Sequence, residues 1–232
     1  MPTTTVDGMA IAHEVLGSGG RPWIVTPGGR FSKDYPGVRE LAQAIADDGN
    51  TAVIWDRPNT GGSDVFFHGE SESVVQADAL AGLLRALDLG PAVLAGGAGG
   101  SRVSMLAAGR HPDVAAGLAV WWISGGVLGL VSLGFHYCSD SIRAAWNGGM
   151  EAVVELDAWA EVLERNPGNR DRMLAVHPQE FIAVLERWML AYCPCDDALV
   201  PGLSGDEQAA LTMPTLVFRS GASDVNHTRE TS

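Results

Sequence analysis

Residues 96–100 place glycines on both sides of an alanine, with the spacing of a turn that presents a nucleophile. The segment Gly96-Gly97-Ala98-Gly99-Gly100 follows the pattern Gly-x-Ser-x-Gly, except that alanine stands where the serine would be. Glycines in this pattern permit a strained turn between a strand and a helix, which raises the central side chain above the sheet. A serine there would attack a carbonyl carbon, whereas the methyl group of Ala98 cannot. The sequence therefore predicts a turn built for a nucleophile that it lacks.

Other chemistry near this turn is less favoured. A glycine-rich turn can simply pack closely or bind phosphate at a helix start, but neither Gly-x-x-x-x-Gly-Lys-Ser/Thr nor Gly-x-Gly-x-x-Gly with a distant acidic residue is matched. Ser101 lies one turn into the predicted helix, rotated by about 100° per residue from the raised position, so we do not assign it as the nucleophile. Cys193 and Cys195 have no second ligand cluster, so we expect thiols without a metal.

Short apolar runs alternate with helical periodicity on both sides of the turn. We predict strands at 9–15, 23–25, 51–55, 92–95, 117–122 and 214–218, and helices at 38–47, 74–87 and 103–108. Strands and helices that alternate at these lengths form a parallel sheet covered on both faces. The predicted fold class is therefore α/β.

Residues 125–212 interrupt this alternation, and we predict that they form a helical cap inserted into a core of residues 1–124 and 213–232. The clearest cap helices span 153–164 and 178–192. The cap is rich in aromatic residues, which can form its own core or line an apolar pocket facing the glycine turn. Our candidates for that pocket are Arg30, Trp122, Phe135, Tyr137, Trp159, Trp188 and Tyr192. Arg30 and Arg102 flank the turn and could contact an acidic group, although we expect both at the protein surface.

Composition narrows the classes of partner. The 232 residues are 46% hydrophobic and 19% charged, which suffices for one sizeable core. The formal net charge of −13 argues against binding to nucleic acid or to anionic membranes. We find neither a signal peptide nor an apolar stretch long enough for a membrane span, so we expect a cytoplasmic protein. A homodimer is left open.

Several segments, in the expected order, resemble those of the α/β-hydrolase fold family. Thr26-Pro27-Gly28-Gly29 is similar to the family's His-Gly oxyanion loop, with Pro27 in place of histidine. Residues 56–64 resemble the Asp-x-x-Gly-x-Gly-x-Ser-Asp loop, and Gly221-Ala222-Ser223-Asp224 resembles the acid loop. The resemblance covers nearly the whole chain. It implies a mostly parallel sheet with helices on both faces and an inserted helical cap.

The resemblance also implies roles for individual residues. Position 98 would carry the nucleophile, and Asp224 would orient a histidine that accepts the proton of the nucleophile. Backbone N–H groups of Gly99 and of Gly28 or Gly29 would form the oxyanion hole. No cofactor or metal is implied, because side chains and water carry the family's chemistry.

Two parts of this machinery are missing from the sequence. Position 98 is alanine, and the family places its histidine after a further strand beyond Asp224, whereas His227 follows by only three residues. We therefore expect the natural protein to continue beyond Ser232. The alanine is explained by an engineered serine-to-alanine change that traps a substrate, or by a natural pseudoenzyme. We favour the engineered change, because a pocket released from catalysis has little need of a strained turn.

These observations predict a serine-type hydrolase of an apolar ester or lactone, inactive as it stands, whose partner is a small apolar carbonyl compound. One alternative is a carbon–carbon bond hydrolase, which uses the same residues on the same fold. The other is a non-catalytic protein that binds a small ligand under the cap. A serine restored at position 98 distinguishes catalysis from binding.

Overall fold

A computed structural model describes residues 2–193 and 200–218 of the chain. The predicted acid loop with Asp224, the residue Cys195 and His227 lie outside the described residues.

The described strands build a single sheet. They are β1 (Thr3–Val6), β2 (Met9–Leu16), β3 (Pro22–Thr26), β4 (Thr51–Trp55), β5 (Ala92–Gly97), β6 (Ala115–Trp121) and β7 (Thr215–Phe218). Their order in the sheet is β1-β2-β4-β3-β5-β6-β7. The pairs β1–β2 and β2–β4 are antiparallel, and the other four pairs are parallel. The predicted mostly parallel α/β sheet is therefore confirmed.

Helices cover both faces of this sheet. The helices are α1 (Val38–Asp47), α2 (Glu72–Ala86), α3 (Gly99–Arg110), α4 (Val127–Val153), α5 (Asp157–Arg165), α6 (Gly168–Leu174), α7 (Pro178–Leu190) and α8 (Gly205–Ala209). Strand side chains alternate between the faces. Val25 and Ile54 pack with Ala42 of α1, whereas Ile24 packs with Leu80 of α2 on the opposite face.

Helices α4 to α7, to which we apply the name cap, pack around an apolar cluster of their own, which we call the cap core. Trp159, Phe181 and Trp188 are nearly or completely buried in it, and Phe67 enters from the loop before α2 with its ring centroid 4.9 Å from that of Phe181. The prediction of a helix at 153–164 is wrong at its start, because α4 ends at Val153 and α5 begins four residues later. After these helices, Val200 and Leu203 pack in the core beside the sheet.

Strand β1 is missing from the strands predicted above, because its four residues are short and polar. It pairs with β2 through a two-residue turn at Asp7 and Gly8, whose φ angles are +48° and +82°. Asp-Gly is a dipeptide that favours such a turn, since both central residues need positive φ. That dipeptide was the available sequence signal for the hairpin.

None of the helices within 2–193 and 200–218 combines the length and the apolar character that a membrane span requires.

Candidate active site

Ala98 lies in a strained turn between β5 and α3. Its φ and ψ are 51° and −117°, a conformation that residues with a Cβ rarely adopt. The Ala98 N–H donates to the carbonyl oxygen of Trp121 at 3.0 Å, which ties the turn to β6. The buried Ser101 hydroxyl donates to the Ala98 carbonyl at 2.6 Å. This hydrogen bond stabilises the turn. It agrees with the exclusion of Ser101 as the nucleophile.

The glycines of the turn are required by close backbone contacts. A Cβ at Gly100 would lie 2.1 Å from the carbonyl oxygen of Thr26, and one at Gly96 would lie 2.5 Å from the backbone of Gly100. A Cβ at Gly97 would lie 2.1 Å from the indole nitrogen of Trp121. Helix α3 thus begins in direct contact with the end of β3, which only residues without a side chain allow.

The predicted oxyanion loop follows β3 and lies beside the turn. A Cβ built on Gly99 would be 3.3 Å from the backbone nitrogen of Gly29, and one on Gly28 would be 3.2 Å from the Ala98 Cβ. Gly99 is the first residue of α3, so its N–H has no acceptor within the helix. The Gly29 and Gly99 backbones and the Ala98 side chain are therefore neighbours, as an oxyanion hole requires.

Arg57 fixes the oxyanion loop from the opposite side. Its Nη2 donates to the carbonyl oxygens of Gly28, Gly29 and Phe31 at 3.2, 2.8 and 3.3 Å. The C=O of Gly28 and the N–H of Gly29 belong to one trans peptide and point in opposite directions. The bond to Arg57 therefore turns the Gly29 N–H away from Arg57. Burial lowers the pKa of Arg57 to about 10.

Asp56 holds the segment that carries Arg57. Its completely buried carboxylate accepts hydrogen bonds from the backbone N–H groups of Lys33 at 2.6 Å and Gly62 at 2.9 Å. A Cβ at Gly61 would lie 2.4 Å from this carboxyl group. Residues 56–64 therefore support the loop after β3.

Two cavities meet at Ala98. The first, which we call the apolar cavity, has a volume of about 290 Å³. Its side chains come mostly from the loop after β3, from α1 and from the end of β6, and they include Phe31, Tyr35, Val38, Leu41, Trp121 and Trp122. The second, which we call the arginine cavity, has a volume of about 410 Å³. It is lined by Gly29, Phe31, Ala98, Gly99, Arg102, Ser124, Ser132, Leu133, His136 and Tyr137.

Arg102 is buried and the Arg30 side chain is only 15% exposed, so the expectation of surface arginines is wrong. Arg102 is 5% exposed, and its guanidinium packs against Tyr192, which follows α7. Arg30 forms an ion pair with Glu72 at 3.4 Å. Its guanidinium also lies 5.4 Å from the ring centroid of Tyr137 and 4.9 Å from that of Trp159, within cation–π range. Arg30 lines neither cavity, and it instead connects the loop after β3 to the cap.

The aromatic pocket candidates divide into three groups. Trp122 lines the apolar cavity, and Tyr137 lines the arginine cavity. Trp159 and Trp188 lie in the cap core, 0% and 1% exposed, and line neither cavity. Phe135 is 63% exposed on α4, where it lines a separate surface groove.

Tyr192, the remaining candidate, contacts the guanidinium of Arg102. Its hydroxyl accepts a hydrogen bond from Arg102 Nη2 at 3.0 Å, and the guanidinium lies 4.8 Å from its ring centroid. Burial raises the pKa of Tyr192 to about 12. The phenol therefore stays neutral and positions the guanidinium.

Several residues of the site are absent from the sequence-based candidates. Phe31 and Tyr35 of the apolar cavity stack with ring centroids 4.0 Å apart. His136 of α4 lines the arginine cavity. No local pattern identifies these residues. Arg57 is different. It lies in a glycine-rich loop after a strand, and an arginine at such a position could have been proposed to hydrogen-bond neighbouring backbone carbonyls.

Several solved structures have a similar fold. A meta-cleavage product hydrolase from Pseudomonas fluorescens, a serine-to-alanine mutant complexed with acetates, has a TM-score of 0.62 and 18% identity, covering 100% of this chain and 83% of its own. An alpha/beta hydrolase from Sphaerobacter thermophilus has a TM-score of 0.60 and 21% identity, with coverages of 96% and 83%. An enol-lactonase from Burkholderia xenovorans has a TM-score of 0.53 and 18% identity, with coverages of 97% and 93%. No protein-family model and no curated protein matches the sequence.

These similarities identify the fold of the chain. The chain adopts the α/β-hydrolase fold, as its sequence motifs indicated. Because all three identities are low, the similarity defines the fold, and the reaction must be argued from the site.

Proposed function

We propose that the parent form of this protein carries serine at position 98 and is a serine-type hydrolase of an ester or lactone. The observation that carries this proposal is the strained Ala98 turn beside the neighbouring backbones of Gly29 and Gly99. A serine at this position would attack the carbonyl carbon of the substrate. The two N–H groups would then stabilise the negative charge that develops on the carbonyl oxygen. Asp224 and a histidine would complete the triad.

The apolar cavity supports a substrate with an apolar group on one side of the reacting carbonyl. Its lining by Phe31, Leu41 and Trp122 suits an alkyl or aryl group of a few carbons, since about 290 Å³ lies at the small end of ligand pockets. With Ala98 the same site binds such a compound and leaves it intact. A serine-to-alanine change thus accounts for a turn that is strained but has no nucleophile.

The test is the Ala98→Ser variant, made in a chain that includes the triad histidine and treated with a fluorophosphonate and with p-nitrophenyl butyrate. A fluorophosphonate reacts with activated serines, so we expect one label per chain at position 98, measured by intact mass and peptide mapping. Ester hydrolysis by the variant should exceed that of the matching Ala98 chain by at least about 100-fold, because nucleophile, histidine and oxyanion hole act together.

An exposed serine provides the matched control. Ala44 lies exposed on α1, and Ala44→Ser should acquire neither label nor activity, because an ordinary hydroxyl is a weak nucleophile. A folded Ala98→Ser variant that stays unlabelled would refute hydrolysis and favour a binding protein. Faster turnover of a 1,3-diketone than of any ester would instead identify a carbon–carbon bond hydrolase.

A further inference from the structure

Positive charge exceeds negative charge under the cap. The guanidinium groups of Arg30, Arg57 and Arg102 are largely buried there. Among these three, only Arg30 has a carboxylate partner within the described chain, and that partner is Glu72. The second carboxylate oxygen of Glu72 accepts from Asn59 at 3.2 Å. Buried charges are normally paired, so this region lacks a negative charge.

Arg102 is the cation that lines a cavity. Its Nε donates to the Ser73 hydroxyl at 2.9 Å, and its Nη2 donates to the Tyr192 hydroxyl at 3.0 Å. Its Nη1 is buried and has no hydrogen-bond partner among the described residues. An unpaired guanidinium N–H inside a protein is costly. Arg102 thus carries an unpaired N–H group beside the arginine cavity, which its side chain helps to line.

The position of Arg102 in α3 directs its charge toward the reacting centre. A residue four positions after Ala98 projects toward the N-terminus of the helix, because helical side chains point that way. Accordingly, Arg102 Nη2 lies 3.7 Å from the position of a Cβ built on Gly99. The first turn of α3 adds its own partial positive charge. The arginine cavity is thus a positively charged compartment next to Ala98.

We propose that Arg102 binds a carboxylate of the substrate, and that the substrate class is a carbonyl compound with a free acid group, such as the half-ester of a dicarboxylic acid. This inference rests on the proposed function, whose substrate it narrows. The acid group occupies the arginine cavity, the apolar group occupies the apolar cavity, and the reacting carbonyl lies between them at position 98. Ser73 and Tyr192 position the guanidinium and do not touch the substrate.

The test measures binding to the Ala98 chain, which requires no turnover. The probes are monobenzyl succinate and benzyl methyl succinate, which share the benzyl ester and differ in the free carboxylate. Titration calorimetry at pH 7 should give a dissociation constant at least about tenfold lower for the acid, as a charge-assisted hydrogen bond provides. Equal affinities for the two probes would overturn the proposal.

The Arg102→Gln variant tests the residue. We expect the acid to lose at least about tenfold in affinity while the neutral diester changes less than about twofold, so the preference disappears. Arg110→Gln is the matched control, since Arg110 lies on the same helix but is exposed and paired with Asp78. It should retain the preference. A folded Arg102→Gln variant that keeps the preference contradicts the proposal.

A second variant covers the case in which Arg102→Gln does not fold. Arg102→Lys retains the charge but cannot make a bidentate pair with a carboxylate, so the preference for the acid should fall at least about threefold. An unchanged preference overturns the assignment. The binding result is independent of the labelling of Ala98→Ser. If Ala98→Ser is labelled but the Ala98 chain shows no preference for the acid, only this inference is refuted. If the chain prefers the acid but Ala98→Ser is not labelled, only the proposed hydrolysis is refuted.

Discussion

The Nη2 atom of Arg57 lies 2.8 Å from the carbonyl oxygen of Gly29. This hydrogen bond joins the loop after β4 to the loop after β3, and it orients a peptide of the oxyanion loop. The same nitrogen also donates to the carbonyl oxygens of Gly28 and Phe31, while Nη1 donates to the Gln76 side chain at 3.3 Å. A single guanidinium therefore holds a backbone segment that has no regular secondary structure.

Arg57→Lys should loosen this segment without removing the positive charge. One ammonium group cannot reproduce the planar fork that reaches three carbonyl oxygens and Gln76. We expect the free energy of unfolding to fall by about 2–3 kcal/mol, measured by urea denaturation. In the Ala98→Ser background, fluorophosphonate labelling should slow at least about tenfold. Arg21→Gln, at an exposed position, should change stability by less than about 0.5 kcal/mol. Equal effects of both variants would contradict the role of Arg57.

Gly100→Ala should prevent the close approach of α3 to β3. The new Cβ would lie 2.1 Å from the carbonyl oxygen of Thr26, and neither backbone can yield cheaply. We expect a loss of more than about 3 kcal/mol or a failure to fold, measured by thermal denaturation with circular dichroism. Gly205→Ala is the control, because a Cβ at Gly205 meets no atom within 4 Å, and it should be neutral. A Gly100→Ala variant with native stability would disprove the steric argument.

The ion pairs of Asp34 predict a pH dependence of stability. Asp34 lies 2.8 Å from Lys33 and 2.5 Å from Arg165 of α5. Burial alone would raise the pKa of Asp34, but hydrogen bonds from Lys33 and Arg165 bring it below the usual value. The ionised form is thus favoured on folding. Its contribution to stability is complete above the unfolded pKa of about 3.9 and is lost as the pH falls through the lower folded value.

Asp34→Asn should therefore be less stable than the parent at pH 7 by about 0.5–1 kcal/mol, after allowance for solvent screening. The difference should shrink as the pH falls below about 4. Urea denaturation at pH 7 and pH 3 measures it. Asp140→Asn removes a much more exposed pair with Arg143, and its effect should be smaller at both values of pH. A constant difference for Asp34→Asn would contradict the assigned ion pairs.

Two tryptophans of the cap should differ sharply in their contribution to stability. Trp159 is completely buried, and its indole N–H donates to the Ser141 hydroxyl at 3.0 Å. Trp159→Ala should cost about 3–5 kcal/mol through the cavity it leaves, measured by denaturant unfolding. Trp146 is 71% exposed, so Trp146→Ala should cost less than about 0.5 kcal/mol. A larger loss of stability for Trp146→Ala than for Trp159→Ala would contradict the assignment of Trp159 to the cap core.

Local sequence patterns accounted for much of the fold. The predicted bounds of α1 and β4 agree with the structure, because an amphipathic helix and a buried strand each leave a periodic pattern within one segment. The predicted cap helix at 178–192 agrees with α7 within two residues. The hairpin strand β1 was missed because its residues carry little apolar pattern, although the Asp7-Gly8 turn was readable.

The candidate site was predicted unevenly. The sequence indicated the elbow, since the glycine requirement at Gly96 and Gly100 arises from short-range backbone contacts that recur with the motif. It gave no means of separating Tyr137, which lines a cavity, from Trp159 and Trp188, which lie in the cap core. All three are aromatic residues of the predicted helical cap, and the difference depends on which helix face meets the sheet.

The sequence by itself thus determined the α/β alternation and an elbow whose central residue cannot act as a nucleophile. The tertiary structure alone decided the environment of the arginines. Arg102 meets Tyr192 across 90 positions of the chain, and Arg57 meets Gly28 across 29. Burial and pairing of a guanidinium depend on such distant contacts, which packing creates and which no local periodicity encodes.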